Sequence, residues 1–97
     1  MYLTKENIIT LLRDKKEFLR QEFGVQSISL FGSYAREEAT EESDLDFFVE
    51  MPADFFNRCE LIEFLEKLFN HKVDVVRKHP NIRNRFLEEI VKEAIYV

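Results

Sequence analysis

The sequence predicts an α/β (α+β) fold in which one three-stranded mixed sheet is flanked by helices, in the order α-β-α-β-α-β-α. Three observations carry this expectation. Apolar residues recur at helical spacing in three long segments. Between them lie short runs rich in β-branched and aromatic residues, each bounded by Gly, Pro or polar clusters. The second and third of these runs are separated by about 20 residues that include a helix, enough for a parallel crossover, whereas a shorter polar link joins the first and second and implies antiparallel pairing.

Thr4 is the expected N-cap of a first helix, whose apolar positions Ile8, Leu11, Leu12, Phe18, Leu19 and Phe23 share a face. Gly24 ends it, since glycine readily takes the left-handed conformation found just past helix C-termini. Residues 25–31 form the first strand, with Ile28 and Leu30 on one side, and Gly32 breaks it. Ser33 to Glu38 follow as about two turns of helix, and residues 39–43 as a polar loop. The second strand covers 44–50, directing Leu45, Phe47 and Val49 to the core and Asp44, Asp46 and Phe48 the other way. Beyond Pro52 a helix runs from Phe55 to Asn70 with Leu61, Ile62, Leu65, Leu68 and Phe69 buried. Lys72 to Arg77 is the third strand. Pro80 opens a last helix using Ile82, Phe86, Leu87, Ile90, Val91 and Ala94, and the chain ends in a short apolar tail.

Ninety-seven residues suit a single domain spanning 1–97, with room for a core but not for a second lobe. The formal charge of −5 argues against direct nucleic-acid binding, which relies on Lys and Arg to neutralise phosphates. No apolar run approaches the roughly 20 residues that span a bilayer, and the first residues show no signal-peptide pattern. With a single cysteine, Cys59, no internal disulfide is expected, and the cytoplasm is the expected compartment. Cys59 reads as a buried small residue rather than a nucleophile. Tyr2, Tyr34 and Tyr96 read as packing residues, and His71 and His79 lack metal-ligand spacing.

The chemistry concentrates in Gly32-Ser33, a ten-residue interval, and Asp44-Leu45-Asp46. Two carboxylates two positions apart on a strand project from the same face, which like-charge repulsion disfavours unless a cation sits between them. Mg2+ fits such a site, being held by one or two carboxylates together with substrate phosphate oxygens. Gly32 allows close backbone approach and Ser33 adds a hydroxyl, a combination suited to gripping phosphate. Asp74 interrupts the apolar run Val73-Asp74-Val75-Val76, where a half-buried carboxylate is costly without a partner. Parallel pairing of strands two and three brings Asp74 to the face of Asp46, and antiparallel pairing of strands one and two brings Gly32-Ser33 beside Asp44. This arrangement suits metal-assisted phosphoryl or nucleotidyl transfer, with two cations about 3.5–4 Å apart. Asp44 and Asp46 ligate both metals, Asp74 completes the catalytic metal site and accepts the proton of an attacking hydroxyl, and Ser33 and the Gly32 backbone hold the departing phosphates.

These residues resemble the Gly-Ser-x(10)-Asp-x-Asp signature of the DNA polymerase β-like nucleotidyltransferase superfamily. The stretch Gly32-Ser33-Tyr34-Ala35-Arg36 with Ser43-Asp44-Leu45-Asp46-Phe47-Phe48-Val49 is similar to its minimal nucleotidyltransferase branch. The resemblance continues through Lys72-Val73-Asp74-Val75-Val76 and Glu93-Ala94-Ile95-Tyr96-Val97, and so covers nearly the whole chain. It implies a polymerase β palm-like fold and an antitoxin that transfers AMP from ATP, with Mg2+, to a tyrosine hydroxyl of a HEPN-domain toxin partner. One departure stands out: the family commonly has Gly after the Ala-Arg step, where this chain has Glu37, so the loop is expected to differ locally.

Blander readings stand beside these. Asp44, Asp46 and Asp74 also suit solvated strand-edge positions. Arg36 suits nucleotide contact and simple pairing with Glu38 or Glu41 equally. In place of an enzyme, the chain suits an interaction protein that neutralises a partner by masking its surface. The small size leaves little surface to orient an acceptor, so activity is expected to require the partner.

Overall fold

The computed structural model describes residues 3–97, so the packing expected of Tyr2 lies outside the described residues. Helix α1 (Lys5–Phe23) begins where Thr4 caps it, the threonine oxygen accepting the Asn7 N–H at 3.1 Å. It ends where Gly24 turns left-handed at φ 70° and returns its own N–H to Arg20 O. Strand β1 (Ser27–Phe31) pairs antiparallel with β2 (Leu45–Glu50), and β2 pairs parallel with β3 (Val73–Arg77) across helix α2 (Phe55–Phe69). Asp54 caps the start of α2 through the Asn57 N–H, and Asn70, left-handed at φ 49°, ends it.

The sheet separates two apolar layers. On one side, Ile28 and Leu30 of β1, Leu45, Phe47 and Val49 of β2 and Val73 and Val75 of β3 meet Ile8, Leu12 and Leu19 of α1 and Leu61, Leu65 and Phe69 of α2. On the other, Phe31 and Phe48 are buried by Ile90 of helix α3 (Asn84–Glu93), with Val76, Ile82, Leu87 and Ala94 alongside. Ser29, fully buried between these layers, donates its hydroxyl to Phe48 O at 3.4 Å.

Several elements depart from expectation. The sheet has four strands: the apolar tail supplies β4 (Ile95–Tyr96), which pairs antiparallel with Leu30 and Ser29 and gives the order β3-β2-β1-β4. Two residues are too short a run to show any period. Tyr96 is correspondingly exposed on that edge rather than packed. The last helix starts at Asn84, not at Pro80, because residues 79–82 first form a turn in which the Ile82 N–H bonds back to His79 O. Cys59 is exposed on α2 rather than buried. Phe18 is 44% exposed but lies flat enough on Phe64 to bring the ring centroids within 5.0 Å.

Ser33–Glu38 is a single turn rather than two turns of helix. The Arg36 N–H reaches Gly32 O, and then Glu38 N–H reaches back to Ser33 O and Glu37 N–H to Tyr34 O. Those last two bonds are a Schellman closure, which requires a left-handed residue at its hinge. Glu37 fills that hinge at φ 60°, where glycine would carry no Cβ penalty. Lys5 pairs with Glu37 at 2.9 Å, tying the turn to the start of α1. The expected outcome is that Glu37→Gly is more stable than Glu37→Ala by about 1 kcal/mol in urea unfolding, since both lose the Lys5 pair and only glycine relieves the hinge. Equal midpoints would show that the hinge carries no strain.

Candidate active site

The site lies at the end of the sheet where β1 stops and β2 and β3 begin. Asp46 of β2 is the register partner of Asp74 in β3 on one side and of Phe31 in β1 on the other. Parallel partners face the same way, so the acids of both strands emerge from the face that α3 covers farther along. Asp44, half-buried, precedes β2 by one residue. The loop before it is held in place: the Thr40 N–H donates to Ser43 Oγ at 2.9 Å, the Ser43 N–H returns to Thr40 O, and the His71 Nε2 lies 2.6 Å from Ser43 O. Asp74 is exposed rather than half-buried, because β3 is an edge strand.

Gly32 crosses directly over the Asp46 carboxyl. A Cβ at this position would stand 2.2 Å from Asp46 Oδ2, and the backbone is left-handed at φ 77°, so both space and conformation demand glycine. The carboxyl of Asp46 is pushed up to about 6, first by burial and then by the negative charges of Asp74, Asp44 and Glu93, with Arg36 opposing. Asp74, Asp44, Glu93 and Arg36 thus each act on the Asp46 carboxyl.

Arg36 is committed to pairing. Its guanidinium bonds Glu38 at 3.2 Å and Glu93 at 2.9 Å, while Glu41 is not among its partners. Glu93 is the residue that sequence reasoning left without a role. It is the last residue of α3, and it also accepts the Gly32 N–H at 2.9 Å. No local spacing signals it, because its partners lie 61 and 57 residues away.

Among the described residues no three His, Cys, Asp or Glu side chains are already drawn together as a cation cage. The donor set nevertheless fits a hard cation: Asp44, Asp46 and Asp74 offer only oxygen, and a cation between them would offset their mutual repulsion. A cavity of about 900 Å³ lined by Lys5, Tyr34, Glu37, Thr40, Phe69 and His71 backs onto the turn from elsewhere, and the three aspartates do not line it.

Residues 12–97 match the nucleotidyltransferase domain family. A relative from Methanocaldococcus jannaschii, provisionally named a protein adenylyltransferase, is 43% identical over 97% of this chain and 98% of its own length. The protein adenylyltransferase MntA of Thermococcus cleftensis is 40% identical over 98% of this chain and 97% of its own. Among solved structures, one provisionally described as a minimal nucleotidyltransferase superposes with a TM-score of 0.81 at 28% identity, covering 97% of this chain and 96% of the other. A toxin–antitoxin structure with AMP-PNP gives 0.68 at 28% identity, covering 97% and 72%. A tri-AMPylated Shewanella oneidensis HEPN toxin in complex with its MNT antitoxin gives 0.58 at 26%, covering 95% and 66%. Fold and family match thus define a nucleotidyltransferase. The chain belongs to the nucleotidyltransferase domain family, in the minimal branch whose curated members carry the name protein adenylyltransferase.

The upward shift at Asp46 has a consequence for stability. A group whose folded pKa exceeds its unfolded value stabilises the fold most when protonated, and that contribution is lost as pH rises through about 6. Asp46→Asn is therefore expected to stabilise the metal-free protein at pH 7.5 by about 1 kcal/mol, discounted because the carboxyl is only partly buried. The gain should shrink to nothing below about pH 3, under the ordinary carboxyl value of 3.8. Thermal unfolding of both proteins across pH checks this, and a pH-independent difference contradicts it.

Proposed function

We propose that this chain is a cytoplasmic antitoxin that transfers AMP from ATP, in the presence of Mg2+, to a tyrosine hydroxyl of a HEPN-domain toxin. The observation that carries this reading is the parallel register of Asp46 and Asp74 beside the Gly32–Ser33 turn. The names of its relatives and the nucleotide and toxin in its structural neighbours support it. Asp44, Asp46 and Asp74 would hold magnesium, which when bound neutralises triphosphate charge and polarises the phosphorus under attack. The Ser33 hydroxyl and N–H grip the β- and γ-phosphates of the departing pyrophosphate. Gly32 contributes through close approach rather than through its N–H, which Glu93 already occupies. Arg36, held by Glu93 and Glu38, supplies positive charge beside the carboxylates instead of a free guanidinium.

In the reaction, the acceptor oxygen bonds the α-phosphorus, the bond from that phosphorus to the α–β bridging oxygen breaks, and pyrophosphate leaves. Asp74, exposed on the edge strand, takes the hydroxyl proton. The carboxylates lie at the end of the sheet, with Asp74 on its edge strand, so the partner's own surface would deliver and orient its tyrosine.

Four measurements test this. Incubation with labelled ATP, Mg2+ and the partner toxin is expected to label the toxin, and Asp44→Asn, Asp46→Asn to lower the rate at least about 10³-fold. Chelation by EDTA should abolish labelling of the wild type. Equal labelling by both proteins, or none by either, would refute transfer. A double variant that labels nothing yet still silences the toxin in cells would favour masking. Ser33→Ala is expected to raise KM for ATP about tenfold, reflecting one lost bond to charged phosphate.

A further inference from the structure

Glu93 makes an unusual pair of bonds. One carboxylate oxygen accepts the N–H of Gly32, at the start of the turn, and the other accepts the guanidinium of Arg36, near its end, both at 2.9 Å. The two ends of the turn are also bonded to each other, since the Arg36 N–H donates to Gly32 O at 3.1 Å. Glu93 thus closes a clamp between the end of α3 and the turn. Between the clamped ends, Ser33 gives neither its N–H nor its hydroxyl to any group among the described residues.

We propose that Glu93 is the positioning residue of this turn: by fixing Gly32 and Arg36 it sets the gap between the turn and Asp46, and through that gap the affinity for a nucleoside triphosphate. The inference rests on reading the turn as the triphosphate grip. Its physical ground is the tightness of the crossing, where Gly32 leaves no room for even a methyl group above Asp46. A shift of the turn by a fraction of an ångström therefore changes where phosphate can sit relative to the carboxylates. The choice of an acid also needs explaining, because Glu93 adds negative charge to a region already crowded with it. Only a carboxylate offers two equivalent acceptors, one for a backbone N–H and one for a guanidinium. Glutamine would present an amide NH2 to one of those donors. The Arg36 charge compensates the acid, so the clamp adds rigidity at little net electrostatic cost.

The test uses the full chain with its partner toxin and compares wild type, Glu93→Gln, Glu93→Ala and Ile90→Val. Ile90 is buried in the same helix and touches none of the turn's bonds, so its variant reports a general loosening of α3. Affinity for Mg2+–AMP-PNP by calorimetry, KM and kcat for AMP transfer, and melting temperature are read for each. Glu93→Ala is expected to weaken AMP-PNP binding and raise KM about tenfold with kcat little changed, and Glu93→Gln about threefold, while Ile90→Val lowers the melting temperature with KM intact. Wild-type affinity in Glu93→Ala, or losses matched by Ile90→Val at equal destabilisation, overturns the clamp while leaving the transfer reaction standing. A wild type that neither binds AMP-PNP nor labels the toxin overturns the reading of the site itself, and the clamp with it.

Discussion

Everything at the site depends on one unfavourable interaction, the placement of Asp46 opposite Asp74 in adjacent parallel strands. Like charges directly across a sheet destabilise it, and Asp46 is in addition partly removed from water. The fold contains this penalty by asymmetry. Asp74 lies on the edge strand and keeps its hydration, so desolvation falls on one member of the pair. Immediately behind the acids, Leu45 and Phe47 are fully buried on the opposite face of β2 and hold the strand in register. A slip by one residue would turn those side chains into water, which apolar burial forbids far more strongly than the carboxylates resist each other. The core thus holds the acids in a position that they would not choose by themselves.

The same logic decides what could be read from sequence. The alternation Leu45, Phe47, Val49 against Asp44, Asp46, Phe48 shows directly which side chains face the core, and the antiparallel and parallel pairings follow from connection lengths alone. Helix α1 was legible from Thr4 to Gly24 because its caps and its stripe agree. The turn after Gly32 was not, since Ser33 to Glu38 contains residues that suit a helix. Only the bonds from Glu37 and Glu38 back to Tyr34 and Ser33 show that it closes after one turn. The glutamate standing where the family commonly has glycine was noticed as an anomaly, and the structure gives it a physical meaning in a left-handed hinge.

What stayed hidden depends on contacts between residues distant in sequence. Strand β4 exists because Ala94 leaves α3 in an extended conformation and delivers Ile95 and Tyr96 to the free edge of β1. Glu93 reaches the turn for the same reason, being the last helical residue before that return. One short segment therefore closes the sheet and anchors the turn. Neither function has a periodic or compositional signature, because each depends on where α3 ends in space. Arg36 was ambiguous on similar grounds: sequence offered nearby acids as partners, and only the fold brings in Glu93.

The open position of the carboxylates is a consequence of size as well as of topology. With helices α1 and α2 on one face and α3 on part of the other, no further helix or strand among the described residues roofs the end of the sheet where Asp44, Asp46 and Asp74 emerge. The cavity of about 900 Å³ that backs onto the turn cannot substitute, because the aspartates do not line it. Orientation of the acceptor is a large fraction of what a transferase supplies, and in the proposed reaction the docked partner would supply it. Under the proposed reaction the division of labour is physical: rigid parts, the Asp46 register, the Gly32 crossing and the Glu93 clamp, would fix the triphosphate, and the docked surface would fix the nucleophile. Rigidity on the nucleotide side matters more when the acceptor side is borrowed, since an error in either position misaligns the same in-line displacement. On the proposed reading, that requirement would account for a small domain holding a costly cluster of acids beside a turn that demands glycine.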